Sequence, residues 1–254
     1  MIMSCSLKLS GISFEAFPLV WDTDYFGVQS ARVVLKDAVS KSEQEKIIDY
    51  CSNFEFVTFS NLRNKQENNT WIGADTTAFL TDLNMQYTKH IDEQPRVHDN
   101  FINIYNAFPR NEEVLKIAQH AYLYSRFFND PYLPREKAQN VYVHWTSCAF
   151  NKPEKYFVIA EKNHKIIGYL LFFINEEHAN AVIELIATSN LHRGQNIGGS
   201  LMANLESFAF EKGLKTIKVG TQADNILGVR FYNKCGFQYI LCNSIYHYWP
   251  NRRA

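Results

Sequence analysis

The stretch between residues 181 and 213 constrains the fold of this chain more than any other part of it. Residues 181–187 are a short apolar run rich in Val and Ile, which predicts a largely buried strand. Residues 188–195 are polar and do not suit a core. From Ile197 onward apolar residues recur at helical spacing, and Gly213 is placed to end that helix. We therefore predict a strand, a tight turn and a helix.

The turn itself, residues 193–199, reads Arg-Gly-Gln-Asn-Ile-Gly-Gly. Small residues let a ligand approach the backbone closely, and a helix N-terminus presents unpaired N–H groups with a partial positive charge. These features predict an anion site for phosphate. The P-loop pattern and the strict G-x-G-x-x-G pattern are both absent, so these two kinds of nucleotide site are excluded. The alternative is an ordinary tight connection between strand and helix.

Arg193-Gly194-x-x-Ile197-Gly198, after an apolar strand and at the start of a helix, resembles motif A of the GNAT acetyltransferases. The signature of that family is (Q/R)-x-x-G-x-(G/A). The resemblance implies that the loop amides hold the pyrophosphate of acetyl-CoA, while the backbone near Ile186 and Thr188 pairs with the pantetheine arm like an added strand. Asn196 stands where the family usually has glycine. Asn tolerates left-handed backbone better than other non-glycine residues, so we expect the turn to form.

A second segment, residues 221–237, resembles motif B of the same family, N-x-x-(A/G)-x-x-x-Y-x-x-x-G-F. Asn225, Gly228, Tyr232, Gly236 and Phe237 fall on its positions. Together the two motifs imply an α/β (α+β) GNAT fold with a central mixed, mostly antiparallel sheet flanked by helices. They also imply an acyltransferase that uses acetyl-CoA and no metal. The cofactor-binding residues that they imply are Ile186, Ala187, Thr188, Arg193, Gly194, Gln195, Asn196, Ile197, Gly198, Gly199, Asn225 and Tyr232.

Acetyl transfer to an amine needs donors for the tetrahedral oxyanion and a proton for the leaving thiolate. A phenol with a pKa of about 10 is protonated at neutral pH and can supply that proton. Tyr232 matches the general acid of the family, although it could also simply pack on the sheet. Glu184, the only ionisable residue of the predicted central strand, is a candidate base, or it faces solvent or satisfies an arginine. His144, Asp22 and Asp24 are further candidates, and such an enzyme can also work without a dedicated base.

Islands of sequence along most of the chain resemble the dTDP-fucosamine acetyltransferase family. Trp21-Asp22-x-x-Tyr25-Phe26-Gly27 is similar to W-(D/E)-x-x-(F/Y)-F-G, and residues 125–145 are similar to an S-R-F…Y…P…W segment. This resemblance implies a nucleotide-linked amino-deoxy sugar as substrate. The substrate-binding residues that it implies are Trp21, Asp22, Tyr25, Phe26, Ser125, Arg126, Phe127, Tyr132 and Trp145.

The residues themselves leave the role of both islands open. Residues 17–30 are either a strand and turn that pack their aromatics in a core, or the wall of a pocket for a ring-shaped ligand. Residues 125–145 are either a loop and helix that cover the sheet, or a substrate loop with aromatic faces for a base or sugar and Arg126 for phosphate.

Residues 109–113, with Pro, Asn and two Glu, suit the start of a helix. Before them, helices and strands alternate, with helices predicted over residues 42–51 and 70–83 and a strand over residues 85–91. Ser42 and Glu45 form a capping-box pattern at the first helix. We predict a partial GNAT-like α/β domain over residues 1–108 and a GNAT acetyltransferase domain over residues 109–254.

The formal net charge of +0 gives no broad field that favours nucleic acid or an anionic membrane. No signal-peptide pattern and no run near the ~18 apolar residues of a spanning helix is present. The 5 cysteines have no C-x-x-C spacing and predict reduced thiols rather than a zinc site or disulfides.

We therefore expect a cytoplasmic enzyme of surface polysaccharide biosynthesis, for example of lipopolysaccharide, with a nucleotide sugar as substrate. No nucleic-acid or membrane partner is expected, and the aromatic closing strand, residues 239–249, is a candidate homodimer contact. The alternatives are an acetyltransferase of another small amine or of a protein amine, and a non-catalytic CoA-binding module.

Overall fold

The computed structural model describes residues 8–91 and 101–252, and within these the strands form one continuous sheet with helices packed against it. The strands are β1 (Leu9–Ser10), β2 (Phe14–Pro18), β3 (Ser30–Leu35), β4 (Phe56–Asn61), β5 (Phe79–His90), β6 (Ile102–Asn106), β7 (Tyr156–Lys162), β8 (Lys165–Asn175), β9 (Asn180–Thr188), β10 (Thr216–Gln222) and β11 (Gln238–Tyr248). The helices are α1 (Val20–Phe26), α2 (Lys41–Cys51), α3 (Gln66–Asp75), α4 (Glu112–Ala121), α5 (Arg135–Ala149), α6 (Ile197–Glu211) and α7 (Ile226–Lys234).

The order of strands across the sheet is β1-β2-β3-β4-β11-β5-β10-β9-β8-β7-β6. The pairs β3/β4 and β9/β10 are parallel, and the other pairs are antiparallel. This arrangement confirms the predicted mixed, mostly antiparallel sheet with flanking helices.

Strand β5 lies between β10 and β11, although it precedes both by more than a hundred residues in the chain. In the other direction, β11 returns to pair with β4 of the N-terminal half. Strand β6 pairs with β7 at the far edge. The division predicted at residues 108 and 109 stays a prediction, and the two halves share one sheet.

The core consists of apolar clusters on the two faces of the sheet. On one face, Leu201 and Leu205 of α6 pack with Ile217 of β10. On the other, Val114 of α4 packs with Leu185 of β9. Further clusters lie beneath α2 and α3 and around α1. The sheet is therefore covered over the region in which β9 and β10 meet.

Several predicted boundaries were wrong. The segment predicted as a helix over residues 70–83 is helical only to Asp75, and Phe79 begins the long strand β5. The segment predicted as strand and turn over residues 17–30 contains helix α1, which ends at Gly27 with φ 76°. The capping box of α2 is formed by Ser40 and Glu43, not by Ser42 and Glu45.

Candidate active site

A cleft opens in the sheet where β9 and β10 separate. The two strands pair from Asn180 opposite Thr216 to Ile183 opposite Val219, and no further. Beyond that point residues 185–188 of β9 remain paired with β8, and residues 220–222 of β10 with β5. A cavity of about 540 Å³ lies between the two diverging strands. The cleft-side backbone of residues 184–188 is therefore open to an extended ligand that would add to the strand.

The glycine-rich turn predicted from the sequence lies at this cavity. Arg193, Gly194 and residues 196–199 line it, whereas Gln195 does not. Helix α6 begins at Ile197, as predicted. Asn196 has φ 57° and Gly194 has φ 79°, which confirms the left-handed conformation expected at Asn196.

The first turn of α6 keeps its backbone N–H groups available. The Asn196 side chain makes no capping hydrogen bond. Instead it lies over Gly199, where an added Cβ would stand 2.5 Å from Asn196 Oδ1. Glycine at 199 thus makes room for the asparagine, and the first N–H groups of the helix face the cavity mouth with the positive end of the helix dipole. This is the environment that a phosphate group requires.

Tyr232 lies on α7 and lines the cavity, with only 6% of its surface exposed. Its ring contacts Phe231, Phe237 and Tyr87, with centroids 5.4, 5.7 and 6.1 Å away. Burial raises the pKa of its phenol above the ordinary value, and Cys235 adds to the effect. At neutral pH the Tyr232 hydroxyl is therefore protonated and able to donate.

Asn225 serves as the N-cap of α7. Its Oδ1 accepts a hydrogen bond from the Gly228 N–H at 3.0 Å, and its Nδ2 donates to Thr221 Oγ1 at 3.0 Å. It also lines the cavity. The cap joins the end of β10 to α7 and so fixes the position of Tyr232, two turns further along the helix.

Glu184 occupies an irregular position in β9 beside the cavity. The register between β8 and β9 shifts there, since Leu171 pairs with Leu185 and Phe172 with Ile183. The extra residue is Glu184, which is the pattern of a β-bulge. Its Oε2 lies 2.7 Å from Lys155 Nζ, so the carboxylate satisfies a lysine rather than the arginine that the sequence suggested. Its role as a base stays a prediction.

Two tyrosines that sequence reasoning missed belong to the wall of the cavity. Tyr122 and Tyr142 both line it. The Tyr122 hydroxyl is 3.0 Å from that of Tyr169, and Tyr142 donates to the Tyr124 carbonyl at 3.0 Å. Burial is the largest cause that raises the pKa of both phenols. The one signal for them in the sequence is the density of aromatic residues between 122 and 145.

The structure brings the two aromatic islands of the sequence together. Trp21 lies 6.5 Å from Trp145 between ring centroids, and Tyr25 stacks on His144 at 4.3 Å. Trp145 in turn stacks on Tyr142, at 6.3 Å, and Tyr142 reaches the cavity. A continuous row of rings therefore leads from the cavity to α1. Its function as a substrate site stays a prediction.

Other members of the predicted substrate set have internal partners. Arg126 contacts Thr58 Oγ1 at 2.9 Å, His247 Nε2 at 2.8 Å and Asp22 Oδ1 at 3.4 Å. Ser125, Phe26 and Phe127 are buried, and the two phenylalanine rings lie 5.1 Å apart. Tyr132 is exposed and lies beneath the Arg252 guanidinium, 4.4 Å from its ring centroid. These contacts show packing, and any role in substrate binding stays a prediction.

The profile of the Acetyltransferase (GNAT) family matches residues 116–237. These residues are a GNAT acetyltransferase domain. The GNAT domain contains the glycine-rich turn, the cleft, both wall tyrosines, Glu184 and Tyr232, while Trp21, Asp22 and the closing strand β11 lie outside the matched range.

Two relatives extend the comparison of the GNAT domain. The spore coat polysaccharide biosynthesis protein SpsD of Bacillus subtilis (strain 168) is 29% identical over 143 residues, 56% of this chain and 49% of that protein. A streptothricin acetyltransferase of Escherichia coli is 37% identical over 57 residues, 22% of this chain and 33% of that protein. The chain thus spans about half or less of the length of these curated relatives.

Solved structures show the same fold across nearly the whole chain. A GCN5-related N-acetyltransferase from Sphaerobacter thermophilus superposes with a TM-score of 0.65 at 12% identity, covering 95% of this chain and 78% of that one. A functionally unknown conserved protein from Staphylococcus epidermidis gives 0.62 at 12% identity, with 97% and 96% covered. At such identities the likeness concerns the fold alone, and it includes the N-terminal half.

Within residues 8–91 and 101–252 no group of three or more His, Cys, Asp or Glu side chains is placed to hold a metal ion. The helices in this part of the chain are all too short or too polar to cross a membrane.

Proposed function

We propose that this protein transfers the acetyl group of acetyl-CoA to the amino group of a nucleotide-linked amino-deoxy sugar, of the type of dTDP-4-amino-4,6-dideoxygalactose. We place this reaction in the cytoplasm, in the biosynthesis of a surface polysaccharide. The observation that carries the proposal is the cleft between β9 and β10, which has the glycine-rich turn at its mouth and Tyr232 inside it.

The cleft suits the two polar parts of acetyl-CoA. The N–H groups of residues 194–199 would bind the pyrophosphate at the positive end of α6. The open edge of residues 186–188 would pair with the amides of the pantetheine arm, as a strand pairs with its neighbour. Gly194, residues 196–199 and residues 186–188 line the same cavity, so one extended ligand can reach both parts of the site.

The chemistry is an addition followed by an elimination. The neutral amine attacks the thioester carbonyl, a C–N bond forms, and the C–S bond then breaks. Tyr232 donates its phenolic proton to the leaving sulfur and is protonated again from solvent. The amine loses one proton to a base, for which Glu184 through a water is the residue expected from the sequence.

The substrate class rests on two observations. A relative of this chain is named for spore coat polysaccharide biosynthesis, and it matches over more than half of the chain. The row of rings from Tyr142 to Trp21 offers flat apolar faces of the kind on which a nucleobase or a sugar ring packs. The match to a streptothricin acetyltransferase favours a second candidate, a different small amine.

The test is a turnover assay that follows free thiol from acetyl-CoA over a panel of amines. The panel holds dTDP- and UDP-linked 3- and 4-amino-6-deoxysugars, a polyamine, streptothricin, an aminoglycoside and a lysine peptide. We expect turnover with a nucleotide amino sugar. Turnover confined to the other amines would overturn the sugar assignment and keep the acetyltransferase, whereas acetyl-CoA binding without turnover would favour a CoA-binding module.

A further inference from the structure

Asp82 is a buried carboxylate on β5, two residues before Asn84. Alternation along the strand puts it on the same face as Asn84. Asn84 pairs directly with Gln222 of β10, so these two side chains share that face, and Gln222 lines the cavity. The Ala223 N–H donates to the Leu83 carbonyl at 2.9 Å, which fixes the end of β10 beside Asp82.

The elements around Asp82 surround it with ionisable groups. Arg126, from the segment above the sheet, and Asp224, after β10, act on the pKa of Asp82, and the charge of Asp82 in turn raises the pKa of Tyr142 of α5 and of Cys242 of β11. Tyr142 itself lines the cavity. The Asn129 side chain donates to the Thr81 carbonyl at 2.9 Å and so holds the segment above against β5.

Among the residues that the structure describes, Asp82 lacks an ion-pair partner, in contrast to Glu184 and Asp22. Glu184 is paired with Lys155 at 2.7 Å, and the guanidinium of Arg126 is paired with Asp22 at 3.4 Å. Within the described residues no ion pair includes Asp82, although only 8% of its surface is exposed. A carboxylate removed from water and left without a cation is a costly arrangement, unless a ligand supplies the cation.

The pKa of Asp82 suits a group that accepts and releases a proton near neutral pH. Burial, followed by the charge of Asp224, raises the pKa of its carboxyl to about 7, while Arg126, the Asn84 side chain and the Leu83 N–H lower it. A general base is most effective when its pKa lies near the working pH, because it is then both ionised and basic enough to accept a proton.

We propose that Asp82 binds the ammonium group of the acceptor and acts as the catalytic base that takes its proton. This inference rests on the proposed function. One N–H bond of the acceptor breaks and its proton passes to an Asp82 carboxylate oxygen, which leaves the nitrogen lone pair free. The C–N bond forms and the C–S bond breaks, while Tyr232 protonates the sulfur. The tetrahedral nitrogen loses its second proton to the Tyr232 phenolate, which restores the phenol, and Asp82 releases its proton to solvent, so the cycle is balanced.

The experiment measures kcat/KM against pH from 5 to 9 at saturating acetyl-CoA, with the amine of the panel that the wild type turns over fastest. We expect the wild-type rate to fall as the pH drops through about 7, as Asp82 becomes protonated. Asp82→Asn should lower kcat by about 100-fold, the lower end of what a general base contributes. It should also lack the acid limb of the profile, which is the fall in kcat/KM as the pH drops through about 7. Asp224→Asn removes a like charge, so the limb should move to lower pH.

Controls separate a catalytic role from a structural one. Asp75→Asn, an exposed carboxylate at the end of α3, should leave the whole profile unchanged. Asp82→Asn should keep the acetyl-CoA affinity and the melting temperature of the wild type. Loss of either, or an Asp82→Asn enzyme that retains both its rate and its acid limb, would overturn the assignment of Asp82 while acetyl transfer by the wild type stands. No turnover of any amine by the wild type would overturn the proposed function, and Asp82 as base with it.

Discussion

Tyr232 combines two properties that are rarely found together in one side chain. It is almost fully buried, yet it lines the cavity. The raised pKa keeps it protonated across the physiological range. A residue that only packed on the sheet would not need its hydroxyl, so the two interpretations differ in what removal of one oxygen atom does.

Tyr232→Phe removes the proton donor and keeps the ring. We expect kcat to fall by about 100-fold or more, since general acid catalysis contributes roughly 10²–10⁴-fold, with acetyl-CoA affinity retained. Steady-state kinetics and calorimetric titration with acetyl-CoA measure the two quantities. The matched control is Tyr87→Phe, whose hydroxyl lies 3.9 Å from Met85 Sδ and away from the cavity lining. Equal losses in both variants would argue for packing alone.

His247 is a buried residue whose protonation affects stability rather than catalysis. Its Nδ1 donates to Asp130 Oδ2 at 2.6 Å and its Nε2 accepts from Arg126 at 2.8 Å. Burial, with a contribution from Arg126, lowers its pKa to about 4, although Asp130 acts in the opposite direction. The imidazole is therefore neutral at pH 7, and its contact with Asp130 is a hydrogen bond.

A lowered pKa in the native state means that the unfolded chain takes up this proton first. Stability from His247 is complete above pH 6.5 and is lost as the pH falls toward 4, by about 3 kcal/mol. Urea unfolding between pH 4 and 7 measures this loss. His247→Gln should remove that part of the slope, and His164→Gln, at a fully exposed position in the β7–β8 turn, should retain it. An unchanged slope in His247→Gln would contradict the prediction.

At the scale of the element, helix α2 shows how a local pattern can be ambiguous. Ser40-x-x-Glu43 and Ser42-x-x-Glu45 both fit a capping box. The structure uses the first, in which the Glu43 side chain also accepts a hydrogen bond from the Ser13 N–H at 3.0 Å. A contact across thirty residues of sequence thus selects between two equivalent local signals.

This choice of cap makes a paired prediction. Ser40→Ala should lower the free energy of unfolding by about 1 kcal/mol, because it leaves a helix N–H without its acceptor. Ser42→Ala, inside the first turn, should change it by less than about 0.5 kcal/mol. Chemical denaturation of both variants is the measurement. A larger loss in Ser42→Ala would place the cap where the sequence pattern alone suggested.

At the scale of the whole molecule, the two halves of the chain are joined by the insertion of strand β5 between β10 and β11. Thr88 of β5 pairs with Lys218 of β10 on one side and with Gln238 of β11 on the other. A strand from the N-terminal half is therefore an interior strand between two strands of the C-terminal half. The halves cannot separate without breaking the ladders on both sides of β5.

We expect the chain to unfold in one cooperative transition in spite of its two-part sequence pattern. Far-UV circular dichroism and tryptophan fluorescence, which reports on Trp71 of α3 and Trp145 of α5, should give coincident urea curves. Thr88→Pro removes a ladder hydrogen bond from this interior strand, so the midpoints of both curves should fall together to lower urea concentration. Two resolved transitions would show that the halves are independent domains.

The sequence by itself determined the elements that depend on local interactions. The strand, turn and helix of residues 180–211 and the left-handed Asn196 follow from residue types within a few positions of one another. Their energies are set by steric limits on φ and by hydrogen bonds between near neighbours.

Only the tertiary structure decided what depends on long-range pairing and burial. The insertion of β5, the meeting of Trp21 with Trp145 and the pairing of Glu184 with Lys155 join segments that carry no mutual signal in one sequence. Asp82 is the clearest case, since residues 70–83 were expected to be helical and its burial on the strand face that Asn84 and Gln222 share was not foreseen. Its perturbed pKa arises from the water that β10, β11 and the segment above exclude, and exclusion of water is a property of packing.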